Sequence, residues 1–161
     1  MTLRTLRNAL VAMMIFGVVP AFGQNDLSFY PVRTLVEALK DSVDPSGPKA
    51  DFHIDGRQLK SRSSVIFTGE VRKVKDKRRK FVGLWIETRG LPKEVSKALE
   101  NEAQFREGDL VLWMPIRQRT LELLRESAKK GARVDVYTIL AGAVSVDGEI
   151  QPIFIVGGIT Q

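Results

Sequence analysis

Two apolar stretches near the C-terminus, joined by Asp147-Gly148, constrain the fold of this chain more than any other feature. Residues 132–146 and 150–159 are rich in Val and Ile, which favour β-strands. An Asp-Gly pair between two such stretches is typical of a tight hairpin turn, because glycine readily adopts positive φ. The sequence therefore predicts a long antiparallel hairpin, in which Gly142 can form a kink or bulge and Pro152 indicates an edge or a bulge.

Earlier parts of the chain predict further strands, from their β-branched content and their alternation of apolar and polar residues. These predicted strands cover residues 51–59, 64–74, 80–88 and 110–115. In the third of them, alternation places Val82 and Ile86 on the core face and leaves Phe81 and Trp85 facing outward. In the fourth, Trp113 faces outward for the same reason.

Helical spacing of apolar residues predicts three helices outside these strands. The first covers residues 27–43, has Pro31 in its first turn, and ends at a Pro- and Gly-containing loop over residues 44–48. The second begins at Pro92 and extends to about residue 104, and the third covers residues 120–130. The chain is therefore mainly β with accessory helices.

From residue 64 onward the order is three strands, a helix and two strands. The stretches VIFTGEVRKV (65–74), GDLVLWM (108–114) and LELLRESAKKGARV (121–134), with the Asp147-Gly148 hairpin, carry this order. In this order and spacing the chain resembles the OB-fold, including exported bacterial OB domains similar to tRNA-anticodon-binding domains. The resemblance implies a five-stranded OB-like Greek-key barrel preceded by an N-terminal helix. The helix after Pro92 departs from the simplest OB plan and leaves room for another small barrel or an α+β sandwich.

The N-terminus has the three-part pattern of a cleavable export signal. Arg4 and Arg7 precede an apolar run over residues 9–19, which Pro20 ends, and small residues occupy positions 21 and 23. We therefore expect residues 1–23 to be removed, and the protein to be exported to the periplasm or secreted. The chain then divides into an N-terminal helix with a connecting segment (24–63) and the barrel domain (64–161).

Composition excludes several kinds of chemistry. The 161 residues include no Cys and one His, so thiol nucleophiles, disulfides and zinc-thiolate sites are excluded. The sequence also has no Gly-x-Ser-x-Gly elbow and no phosphate-binding glycine loop. We therefore expect a protein without a cofactor or a bound metal, whose role is binding or structural rather than catalytic.

A single basic cluster carries the surplus positive charge. The chain has a formal net charge of +6, and residues 71–80 alone hold seven basic side chains and one acid. In the predicted barrel this cluster occupies the hairpin between the first two strands, beside the face that OB domains commonly use for ligands. We expect an anionic partner, such as an envelope component, to bind there. The candidate ligand-binding residues are Lys75, Lys77, Arg78, Arg79 and Lys80.

One alternative function is an interaction module whose exposed strand edge accepts a partner strand. Two more follow from residues near the basic cluster. Outward-facing Phe81, Trp85 and Trp113 beside a basic loop resemble a single-stranded nucleic-acid binding face, where rings stack on bases. Nucleic acid is scarce outside the cytoplasm, which counts against this alternative. The second is a small metal-dependent hydrolase, since Asp51, His53 and Asp55 would share one face of a strand and offer ligands for a divalent cation. A solvent-exposed hairpin without a ligand remains the structural alternative for the basic cluster.

Overall fold

The computed structural model describes residues 30–42, 51–57 and 59–160. The predicted export signal and the predicted loop over residues 44–48 lie outside these ranges. The described elements, in chain order, are α1 (Val32–Ser42), β1 (Phe52–Ile54), β2 (Lys60–Lys73), α2 (Asp76–Thr88), α3 (Glu94–Ala98), β3 (Asn101–Glu107), β4 (Leu110–Ile116), α4 (Gln118–Ser127), β5 (Arg133–Val146) and β6 (Glu149–Thr160).

The protein is mainly β, as the sequence predicts, and its strands form one six-stranded sheet that curves into a barrel-like ring. The strand order is β1-β5-β2-β3-β4-β6, and β6 also pairs with β5. Five strands, β2 to β6, therefore follow one another around the ring. Strand β1 extends the sheet from β5, pairing antiparallel with it from Phe52↔Val144 to Ile54↔Gly142.

The predicted C-terminal hairpin is confirmed. Strands β5 and β6 pair from Val146↔Glu149 to Asp135↔Thr160, and both Asp147 (φ 52°) and Gly148 (φ 83°) adopt the left-handed backbone that this turn requires. The predicted irregularity at Gly142 is also confirmed, since the register shifts between Leu140 and Gly142. Gly142 has φ 141°, and a Cβ there would collide with the carbonyl oxygen of His53. Glycine is therefore required at position 142, where β1 pairs with β5.

The main hydrophobic core fills the interior of the ring. Phe67, Phe105, Met114 and Phe154 contribute large buried side chains from four strands. Helix α1 packs on this core through Val32, Leu35, Val36 and Leu39, and helix α4 through Leu121 and Leu124. Burial of these apolar side chains is the main stabilising contribution to such a fold.

Helix α1 is held at its start by side chains from the sheet. The backbone N–H of Val32 donates to Ser63 Oγ (2.7 Å), and that of Arg33 donates to a Glu107 carboxylate oxygen (3.0 Å). The first N–H groups of a helix have no partner within the helix. These two acceptors therefore fix α1 over one end of the ring.

A second hydrophobic cluster lies on the outer face of the β5–β6 hairpin. Phe81, Val82, Trp85 and Ile86 of α2 pack there with Leu99 against Ala141, Val144, Ile153 and Ile155. The prediction of a strand over residues 80–88 is therefore wrong. The four apolar residues of α2 lie at helical spacing (i, i+1, i+4, i+5), and a helix buries them all on one side.

The region after Pro92 also differs from its prediction. Helix α3 covers only Glu94–Ala98, and residues 101–107 form strand β3, although the sequence predicts a helix up to about residue 104. Ala103 and Phe105 alternate into the core from this strand. The order of three strands, a helix and two strands is retained, because β3 takes the place of the strand predicted at 80–88. Within the described residues, no helix is long and apolar enough to cross a membrane.

Candidate anion-binding groove

The basic cluster lies at the end of β2 and in the first two turns of α2, rather than on a hairpin. Its side chains therefore point in several directions around a helix start. Helix α2 has no side-chain hydrogen bond capping its N-terminus, and its N-cap position is Lys75. The cluster divides into three parts: a buried arginine, three residues that line a groove beside Trp113, and three residues that lie elsewhere.

Arg78 is the buried part, with 4% of its surface exposed. Its Nε donates to Glu102, whose side chain is fully buried, at 2.8 Å, and Arg72 Nε donates to the other oxygen of the same carboxylate at 2.7 Å. Burial lowers the pKa of the Arg78 guanidinium, while the charge of Glu102 opposes that change. A buried carboxylate shared by two arginines holds α2 against β3.

Arg78 also compensates for a gap between two strands. Strands β4 and β6 pair at one register position in the described structure, Ile116↔Val156. Before that position β4 has no strand neighbour on the β6 side, and a partly buried carbonyl there needs a donor. An Arg78 Nη donates to the carbonyl oxygen of Trp113. Arg78 thus supplies the hydrogen-bond donor that a neighbouring strand would otherwise provide for this carbonyl of β4.

Trp113 lies at the centre of this region, half-buried on the outer face of β4. The Arg72 guanidinium stands over its ring, 3.7 Å from the ring centroid, which is a cation–π arrangement. The prediction that Trp113 faces away from the core is confirmed by the burial of its neighbours Leu112 and Met114. One face of its ring is covered by the guanidinium.

A groove of about 240 Å³ runs beside Trp113. It is lined by Arg72, Lys75, Lys77, Arg78, Trp113, Val146 and Gln151. Lys77 makes an exposed ion pair with Asp51 (2.6 Å), whereas Lys75 makes no ion pair within the described residues. The walls are therefore cationic, with one ring and one amide side chain.

A second cavity of about 270 Å³ also borders Trp113. It lies between residues 110–113 of β4 and residues 149–152 of β6, and Val36 and Lys40 of α1 also line it. The two cavities share Arg78, Trp113 and Gln151. We refer to the two together as the β4–β6 groove.

Arg79 and Lys80, two of the five predicted anion-binding residues, do not line this groove. Arg79 donates to the carbonyl oxygen of Val74 (3.0 Å) and lies beside a separate cavity with Lys73, Lys97 and Glu100. Lys80 is exposed on α2. The structure thus brings Lys75 and Lys77 together with Trp113 and buries Arg78. It places Arg79 and Lys80 outside the β4–β6 groove.

The predicted stacking wall does not form. Phe81 is fully buried and Trp85 is 6% exposed, because both belong to the inward face of helix α2. The expectation that they face outward is therefore wrong. Trp85 Nε1 has no hydrogen-bond partner in the structure as described.

The three residues of the predicted metal site do not converge. Asp55 lies after β1, buried, and accepts from the Arg57 guanidinium at 2.7 Å and from the Arg57 backbone N–H at 2.7 Å. These bonds hold the pKa of the Asp55 carboxyl below its usual range. Asp51 pairs instead with Lys77, and His53 is exposed. Within the described residues, no group of three His, Cys, Asp or Glu side chains is placed to hold a metal ion.

Sequence reasoning missed Glu102 and Gln151 as residues of this region. Glu102 falls in a stretch predicted to be helical, where a charged residue is expected to be exposed. Its one sequence signal is the alternating stretch NEAQFRE, in which Glu102 and Gln104 would share the strand face opposite Ala103 and Phe105. Nothing in the sequence marks Gln151 as a groove residue, because the position of the groove depends on where β4 and β6 separate in the folded chain.

No protein-family model, curated protein or solved structure matches the chain.

Proposed function

We propose that this chain is a non-catalytic, exported binding domain that holds an anionic ligand in the β4–β6 groove. The observation that carries the proposal is the convergence of Arg72, Lys75 and Lys77 around Trp113 at an open gap in the sheet. Cations at a groove with partly apolar walls attract anions more strongly than scattered surface lysines, because the walls exclude part of the solvent.

We further propose that the ring is an OB-like barrel. Three features support this assignment. The strands follow the cyclic order β2-β3-β4-β6-β5, β4 and β6 pair in parallel, and a helix, α4, connects β4 to β5. In such a barrel β3 and β4 carry the ligand face, flanked by the β2–β3 connection and the β5–β6 hairpin. Trp113 of β4, Lys75 and Lys77 beside and in α2, and Val146 and Gln151 near the hairpin turn line the groove, and α2 belongs to the first of these connections.

The alternative functions have less support than anion binding. A single-stranded nucleic-acid site needs exposed rings, and Phe81 and Trp85 are buried. A metal-dependent hydrolase needs Asp51 and Asp55 at one cation, and each pairs with a different basic residue. Anion binding depends on Lys75, Lys77 and Arg72, which the fold keeps together.

Heparin affinity chromatography tests the proposal. We expect the protein to be retained and to elute with salt, because the interaction is electrostatic. Replacing both groove lysines, in the Lys75→Gln/Lys77→Gln variant, should move elution to markedly lower salt. The matched control is Lys129→Gln/Lys130→Gln, which removes the same charge from two exposed residues after α4. Equal elution of the two variants would contradict the proposal.

A further inference from the structure

We infer that the anionic ligand is an acidic segment of another protein, bound in extended conformation along the open edge of β4. This inference rests on the proposed function and names its partner class. The carrying observation is that two strand edges, residues 110–113 and 149–152, face each other across a cavity without pairing. Unpaired edges accept an added strand through backbone hydrogen bonds.

The edge of β4 offers backbone groups to such a strand. The carbonyl oxygen of Trp113 faces the gap and already accepts from Arg78, so an added strand has to pair through the other backbone groups of this edge. Backbone groups of alternate residues in a strand point the same way, so Val111 directs its backbone groups to the gap too. Residues 110–113 span about 13 Å at the usual rise of a strand, enough for about four residues of partner. The β6 edge is less suitable, because Pro152 has no N–H group.

Side chains around the edge match alternating apolar and acidic residues. Val111 is 48% exposed and, with Ile150 and Pro152, gives the cavity apolar walls. Lys75 and Lys77 line one part of the β4–β6 groove and Lys40 lines the other, where Glu149 is the one acid; Asp51 pairs with Lys77. Cations in both parts favour an elongated partner with several carboxylates over a single compact anion.

Fluorescence anisotropy with a labelled peptide tests the inference. The probe is acetyl-Glu-Val-Glu-Val-Glu-amide carrying a fluorophore. One control peptide has Gln in place of Glu, and another has methyl groups on alternate backbone nitrogens, which removes the donors needed for strand pairing. We expect the acidic peptide to bind about tenfold more tightly than either control peptide. In the Lys75→Gln/Lys77→Gln variant, the acidic peptide should lose most of its higher affinity relative to the Gln peptide. In the Lys129→Gln/Lys130→Gln variant, this difference in affinity should remain.

The outcomes separate this inference from the proposed function. If heparin retention depends on Lys75 and Lys77 but the methylated peptide binds as well as the unmodified one, strand addition is excluded and anion binding stands. If a twelve-residue oligothymidylate binds more tightly than the peptide with the same lysine dependence, the partner is a nucleic acid and the inference fails. If neither heparin nor peptide depends on the two lysines, the proposed function fails as well.

Discussion

At the scale of single residues, charge alone does not distinguish a cation that faces a groove from one that is buried in an ion pair. Arg78 and Lys77 are neighbours in a basic run, yet Arg78 is buried against Glu102 while Lys77 is partly exposed in the groove. The difference follows from the position of each residue around helix α2. A sequence can therefore identify the cluster, but the burial of one member depends on Glu102, which lies more than twenty residues away.

Replacing Glu102 tests the structural role of the arginine pair. Glu102→Gln leaves the Arg78 guanidinium buried without a compensating charge, so we expect the free energy of unfolding to fall by about 3 kcal/mol. The control is Glu100→Gln, the same change at an exposed residue paired with Lys73 (3.1 Å), which should cost at most about 0.5 kcal/mol. Urea denaturation followed by circular dichroism measures both. Similar losses in the two variants would show that the buried network contributes little.

Asp55 gives a prediction of pH dependence. The bonds from Arg57 lower the pKa of the folded Asp55 carboxyl relative to the unfolded chain. The resulting stabilisation is present at neutral pH and is lost as the pH falls below about 4, through the folded-state pKa. Asp55→Asn should therefore cost about 1 kcal/mol at pH 7, and the difference from wild type should shrink at pH 3. Urea denaturation at the two pH values measures this; a difference independent of pH would contradict the assignment.

At the scale of elements, the largest difference from the sequence prediction is helix α2. Residues 80–88 alternate between two sets of apolar residues, which is compatible with a strand. Phe81, Val82, Trp85 and Ile86 also satisfy helical spacing, and Gly83 and Leu84 then lie on the more exposed side. The apolar pattern of this segment therefore fits both the alternation of a strand and the spacing of a helix. The fold favours the helix because the β5–β6 hairpin offers an apolar outer face for one side of it.

Gly83 provides a test of the helical assignment. It lies inside α2, and a Cβ at this position would meet no heavy atom within 4 Å. Because alanine favours helices more than glycine does, Gly83→Ala should raise the free energy of unfolding by about 0.5–1 kcal/mol. Thermal denaturation should show a higher Tm. A destabilised variant would indicate that Gly83 does not lie on the more exposed side of a helix.

At the scale of the whole molecule, the sequence predicts the β class, the C-terminal hairpin and the order of one strand, a helix and two strands from residue 110 onward. It does not predict which segment forms the ring's second strand. Strand β3 is seven residues long with a buried carboxylate at Glu102, and so lacks the apolar composition typical of a strand. The groove itself arises because β4 and β6 separate away from Ile116↔Val156, which is a property of the closed ring rather than of any local stretch.

The most direct test of the account is to locate the bound anion on the protein. Two-dimensional NMR of the ¹⁵N-labelled protein, titrated with a heparin tetrasaccharide, reports each backbone amide and the Trp113 indole separately. We expect saturable shifts concentrated at Lys75, Lys77, the Trp113 indole and the Gln151 side-chain amide. Shifts concentrated at Lys129 and Lys130, or spread evenly over the exposed lysines, would contradict an anion-binding groove between β4 and β6.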